Sequence, residues 1–119
     1  MNDAAQPESN TPHGPPVVSL EGEVDLAQAP SLRDDLDALF AAGHSTVVVD
    51  MLEVSFLDST ALGVLVAALG RCQRSGGNLH LIVTEPRVLK VLEITGLAEA
   101  FPLHPTRTGV TTFAEDTDQ

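Results

Sequence analysis

Hydrophobic positions along this chain follow two periodicities in turn. Val17-Val18-Ser19-Leu20 reads as a short strand. Val47-Val48-Val49 is a continuous β-branched run, the pattern of a parallel strand covered on both faces. This strand is expected to end at Asp50, with a loop running through Met51-Leu52-Glu53 to Leu57. Leu79-His80-Leu81-Ile82-Val83 is a third strand, and Phe101-Pro102-Leu103 a short edge strand, where proline is tolerated. Helical spacing separates them. Leu32, Leu36, Leu39 and Phe40 share one face, with Arg33, Asp34, Asp35 and Asp37 on the wet side. Pro30-Ser31 opens that helix and Gly43 ends it. A second helix starts beside Asp58-Ser59 and ends near Gly76-Gly77. A third is capped by Thr84, carries Val88, Leu89, Val91 and Leu92 as its apolar positions, and stops at Gly96. Strands alternating with helices imply βαβ units with right-handed crossovers. The expected fold is a single α/β domain with a mostly parallel sheet of about four strands and packed helices.

The second helix is apolar on more than one side. Leu62, Leu65, Val66 and Leu69 form one stripe; Ala61, Val64 and Ala68 form another, expected to be partly exposed. Gly63, Ala67 and Gly70 make a face of small residues open to the sheet or to a partner. A helix apolar all round is either buried or presents a face to another molecule, and the spacing leaves both readings open.

Composition narrows the function classes. A length of 119 residues points to one domain. Six basic against seventeen acidic residues give a net charge of −11, which repels nucleic-acid phosphates and anionic lipids. Neither nucleic acid nor membrane is an expected partner. A basic protein partner would suit the charge, which also serves solubility. The lone cysteine, Cys72, excludes an internal disulfide framework and fits a reducing, cytoplasmic setting. There is no 18-residue apolar run and no secretory signal pattern at the start. Residues 1–16, with Pro7, Pro12, Pro15 and Pro16, read as a disordered lead; 17–104 hold the domain; 105–119 are an acidic polar tail, with one loose helical turn around Phe113.

The candidate chemistry centres on Ser59. A strand-loop-helix unit holds its hydroxyl at a helix N-terminus, where free N–H groups and the helix dipole favour a phosphate. The same position suits a plain N-cap. Asp58 can hold the loop, orient Ser59, or stand as a surface charge. Thr60 is an alternative acceptor that more simply caps or packs. His13, His44, His80 and His104 lack ligand spacing with Cys72, so no metal is expected. Leu57-Asp58-Ser59-Thr60-Ala61 lacks the glycines of a nucleophile elbow, and no phosphate-binding loop motif is present. Cys72 reads as packed rather than reactive. Acyl carrier proteins also place Asp-Ser at a helix start, but they are all-helical and usually follow the serine with leucine.

Asp58-Ser59-Thr60-Ala61-Leu62-Gly63-Val64-Leu65 resembles the phosphorylation-site motif of bacterial anti-sigma factor antagonists, the single STAS-domain proteins. Leu20-Glu21-Gly22-Glu23-Val24-Asp25 resembles the family's L-x-G-E-L-D strand end. Gly76-Gly77-Asn78-Leu79 resembles its turn, and Pro86-Arg87-Val88 through Thr95-Gly96-Leu97 its late helix. The resemblance spans roughly residues 17–104. It implies a non-enzymatic regulator without a cofactor, a monomer or weak dimer, acting by partner switching. The unphosphorylated protein binds an anti-sigma factor that is also a serine kinase, and so frees a sigma factor. Phosphorylation of Ser59 reverses this, and a PP2C-type serine phosphatase resets it. Asp58 and Thr60 support the site; Asp25, Ala61, Val64 and Ala68 are the expected partner-binding residues. A degenerate STAS scaffold without a phospho-switch is the alternative. The family's first strand should be missing or shortened here, because Pro12, Pro15 and Pro16 remove ladder donors. Gln28 replaces a frequent threonine and Ala61 a common glycine.

Overall fold

Four β-rich runs, each followed by a helical one until the last, fold as the alternation predicts. The computed structural model describes residues 14–108. In chain order these form β1 (Val17–Val24), α1 (Ala29–Ala41), β2 (Val47–Leu57), α2 (Ser59–Arg74), β3 (Leu79–Ile82), α3 (Pro86–Ile94), one 3₁₀ turn (Leu97–Glu99) and β4 (Leu103–His104). All strand pairs are parallel and the sheet order is β1-β2-β3-β4. A strictly sequential order with crossovers of one hand puts every helix on the same face. Leu32 and Leu36 of α1, Leu65 and Leu69 of α2, and Val88 and Leu92 of α3 accordingly share one core with Val47, Val49, Leu79 and Leu81 of the sheet. A parallel α/β sheet of this kind is incompatible with the all-helical carrier-protein alternative.

The opposite face of the sheet is built differently. Val17, Val48 and Ile82 form a separate apolar cluster. Beside it runs a row in register: Ser19, Asp50, Ile82 and His104. Arg107 reaches back over this row, donating from Nε to Asp50 at 2.7 Å and from an NH2 group to the Ser19 hydroxyl at 3.0 Å. The ion pair ties the end of β4 to the first two strands. His80 is buried, and its Nδ1 lies 2.9 Å from Nε2 of His104, so one ring donates and the other accepts.

Several expectations are corrected. β2 does not stop at Asp50 but runs on to Leu57. Its pairing with β1 shifts register between Ser19 and Glu21 and again between Gly22 and Glu23, each time giving β2 one extra residue. Each bulge resets the inward phase. Met51, Val54 and Leu57 therefore point inward three residues apart instead of two. β1 likewise extends to Val24, and its ladder starts one residue before the strand, where the Pro16 carbonyl accepts Val48 N–H at 2.9 Å. Glu85, not Thr84, caps α3, its side chain accepting the Arg87 N–H. The expected loss of the family's first strand and the turn around Phe113 lie outside the described residues.

The turn after α2 explains its glycine pair. Gly76 has φ +87°, and Gly77 lies against the backbone of Ser45, so that a β-carbon there would run into the Ser45 carbonyl. Gly76 supplies the left-handed conformation and Gly77 the close approach.

Candidate functional site

The site forms where β1 and β2 end side by side. Val24 and Leu57 are paired in register, and the Asp58 N–H donates to the Val24 carbonyl at 3.1 Å. The chain then turns into α2. Asp58 has extended backbone (φ −94°, ψ 176°), the geometry of an N-cap, and its Oδ1 accepts the Ala61 N–H at 2.9 Å. Its other oxygen, Oδ2, accepts the Leu26 N–H at 3.0 Å from the loop between β1 and α1. One carboxylate thus starts the helix and holds the neighbouring loop. Of the roles open to Asp58, these two bonds show loop-holding directly.

That loop is organised from its other side by Asp25, whose Oδ1 accepts the Ala27 N–H at 3.0 Å and whose carbonyl takes the N–H groups of Gln28 and Ala29. Gln28 returns a contact, its side-chain oxygen accepting the Asp25 N–H at 3.1 Å. Asp25 is half-buried and shapes the loop from within. Leu26 is thrown outward at 68% exposure, an apolar side chain presented beside the start of α2.

Ser59 is therefore not the cap. It is the first helical residue, exposed, as is Thr60. Asp58 takes the Ala61 N–H through its side chain and the Leu62 N–H through its carbonyl. The N–H groups of Ser59 and Thr60 have no protein acceptor among the described residues. No acidic residue occupies the first turn, and Arg71 and Arg74 occupy the last. Beyond the Asp58 cap, two N–H groups thus remain for an anion at the helix end where the Ser59 hydroxyl stands.

The stripe Ala61, Val64 and Ala68, expected to be partly exposed, is buried at 0%, 6% and 6%. α1 packs over Val64 and Ala68 with Leu36 and Phe40 at the seam. The outward side of α2 is the one carrying Ser59, Gly63, Val66 and Ala67, with Val66 rather than Val64 exposed. Helical spacing had identified the faces, but which face meets α1 depends on crossover geometry. Leu26 was missed because an isolated leucine in a loop carries no periodic signal.

Other candidate groups are structural. Cys72 is fully buried, and burial pushes its thiol up to about 11, with Arg71 pulling weakly the other way. It is a packed apolar side chain. Desolvation and the neighbouring Asp34 raise the Asp35 carboxyl. Among the described residues, no group of three or more His, Cys, Asp or Glu side chains could hold a metal, and no helix is long and apolar enough to cross a membrane.

Comparison with known proteins places this geometry. Residues 6–109 match the STAS domain family model. The anti-sigma-B factor antagonist of Bacillus subtilis is 35% identical over 82 residues, covering 69% of this chain and 74% of that protein. The crystal structure of an anti-sigma factor antagonist from Mycobacterium paratuberculosis superposes with a TM-score of 0.76 at 32% identity, covering 85% of this chain and 86% of that one. The unphosphorylated form of the anti-sigma factor antagonist SpoIIAA shares the fold at a TM-score of 0.74 and 19% identity, over 87% of this chain and 90% of that one. The chain belongs to the STAS domain family.

Proposed function

We propose that this protein is an anti-sigma factor antagonist working by partner switching in the cytoplasm, through binding rather than catalysis. The unphosphorylated form binds an anti-sigma factor that is also an ATP-dependent serine kinase, and a sigma factor is released. The kinase phosphorylates Ser59, the complex separates, and a PP2C-type serine phosphatase restores the starting state. ATP and Mg²⁺ belong to the kinase.

One observation carries this reading: Asp58 does the capping, which leaves the Ser59 hydroxyl exposed at the positive end of α2. A hydroxyl in that position can be modified without dismantling a hydrogen bond of the fold. Around it lie Leu26, Thr60, Gly63 and Val66, all uncharged and exposed. A partner can close over such a surface, and a phosphate would interrupt it. A phosphoserine carries about −1.5 to −2 charges at pH 7. Burying that charge unpaired costs several kcal/mol, equivalent to more than about a hundredfold in affinity.

The test is incubation with candidate anti-sigma factor kinases and ATP, followed by phosphopeptide mapping. A single phosphate on Ser59, with loss of binding, supports the proposal. Phosphate on Thr60, or a stable complex that never phosphorylates the chain, overturns it.

A further inference from the structure

The chain is strongly acidic, yet half of its six basic side chains gather in one place. Arg33 of α1 and Arg71 and Arg74 of α2 line a shallow cavity of about 250 Å³ between the two helices. The floor is apolar, formed by Leu36, Phe40 and the edge of Val64. The α2 lip is Gly63 and Ala67, and a β-carbon added at Gly63 would meet nothing within 4 Å. Nothing bulky therefore stands between the floor and solvent on that side.

The rim charges are only partly offset by the acidic residues on α1, Asp34, Asp35 and Asp37. Asp37 is the one acidic residue lining the cavity, and it faces Arg71 at 3.4 Å. The Arg71 guanidinium also lies 4.6 Å from the centre of the Phe40 ring, which pins it over the floor. Among the described residues neither Arg33 nor Arg74, both exposed, forms an ion pair. The cavity is smaller than the roughly 300–1,000 Å³ of small-molecule sites. It suits one apolar side chain flanked by carboxylates, each of which an arginine fork can grip through two hydrogen bonds. A second shallow cavity, sharing Phe40 and Arg71 with the first, is lined by Gly43, His44, Ser45 and Ser75.

We infer that the α1–α2 groove is a docking site for an acidic, amphipathic segment of a protein partner. Leucine or phenylalanine would enter between Leu36, Phe40 and Val64, and carboxylates would meet Arg33 and Arg74. This site adjoins the Ser59 surface, with which it shares Gly63 of α2, but it differs from it in chemistry and needs no phosphate. It gives a net-negative protein a local means of holding an acidic partner that its overall field repels.

The test uses nitrogen-15 NMR on the full chain with an acetylated, amidated peptide of sequence Glu-Asp-Leu-Glu-Asp-Phe-Leu-Glu. Saturable shifts are expected at Gly63, Ala67 and Arg71, with affinity in the range of about 0.1–1 mM. Raising the salt from about 50 to about 500 mM should weaken binding several-fold. Arg33→Glu with Arg74→Glu should weaken it by about tenfold or more, with an unchanged circular dichroism spectrum. Replacing the peptide's leucines and phenylalanine by serine should abolish it. Ser59→Asp should weaken peptide binding far less than the double charge reversal, which distinguishes this site from the phospho-switch. Shifts confined to Leu26 and Ser59, equal binding by the double charge reversal, or the same shifts with inorganic phosphate alone would each overturn the proposal. So would a tightening of about tenfold on deleting residues 109–119, since the groove would then belong to the chain's own acidic tail.

Discussion

Asp58 and Leu26 are 32 residues apart in sequence, yet the Asp58 carboxylate accepts the Leu26 N–H at 3.0 Å while capping α2 with its other oxygen. Ser59 and the exposed Leu26 are thereby held beside one anchor. Asp58→Ala should remove both bonds and cost about 1–3 kcal/mol, lowering the melting temperature by roughly 4–8 °C for each kcal/mol. Asp58→Asn keeps one acceptor oxygen and should lose about half as much. Equal stability for wild type and Asp58→Ala in urea unfolding would show that the anchor is dispensable.

Ser59→Ala should be close to neutral, within about 0.5 kcal/mol, because Ser59 caps nothing in this structure. If Ser59 were the N-cap, the loss would be about 1 kcal/mol, so thermal denaturation distinguishes the two roles. Ser59→Asp should remain folded, since a negative side chain in the first turn suits the helix dipole, while calorimetric titration against the kinase-type partner should show weakened binding.

The reach of sequence reasoning can be judged from particular residues. The α/β class, three helices, four strands and the parallel sheet all follow from two hydrophobic periods, because each element buries one consistent face. The second half of β2 was missed because its two bulges put Met51, Val54 and Leu57 three residues apart, a spacing that fits neither period. At the site, Asp58-Ser59 was legible as a helix start. Which of the two performs the capping was not, since both residue types cap well and only the backbone angles decide. The exposure of Val64 was misjudged because the sequence does not say which flank of α2 the first helix covers.

That misjudgement gives a paired test. Val64→Glu should unfold the domain or destabilise it by several kcal/mol, because a carboxylate would be forced into a position only 6% exposed. Leu26→Ser should leave the melting temperature within a few degrees of wild type and weaken partner binding by an order of magnitude or more. A folded Val64→Glu protein, or a Leu26→Ser protein that binds as well as wild type, would contradict the surface described around Ser59.

Acid should loosen the edge of the sheet. Burial, with His104 close by, lowers His80 from 6.5 to about 4, and burial also lowers His104. Below 6.5 the unfolded chain takes up protons that the folded one refuses, so folding stability is full above pH 6.5 and declines as the pH falls towards 4. For His80 the decline amounts to at most about 3 kcal/mol. His80→Phe removes the titrating ring and should flatten the slope of unfolding free energy between pH 4 and 6.5. An unchanged slope would place the acid sensitivity elsewhere.

The division of labour between Asp58 and Ser59 also bears on how such proteins diversify. When the residue that receives a signal is not the residue that holds the fold, the signal can be lost or made permanent without losing the protein. Under the proposed switch, a small neutral side chain at position 59 would yield a copy that never lets go of its partner, and an acidic one a copy that never engages. Both should fold on the same scaffold, so duplicated genes can drift into fixed settings of a reversible device by one substitution each.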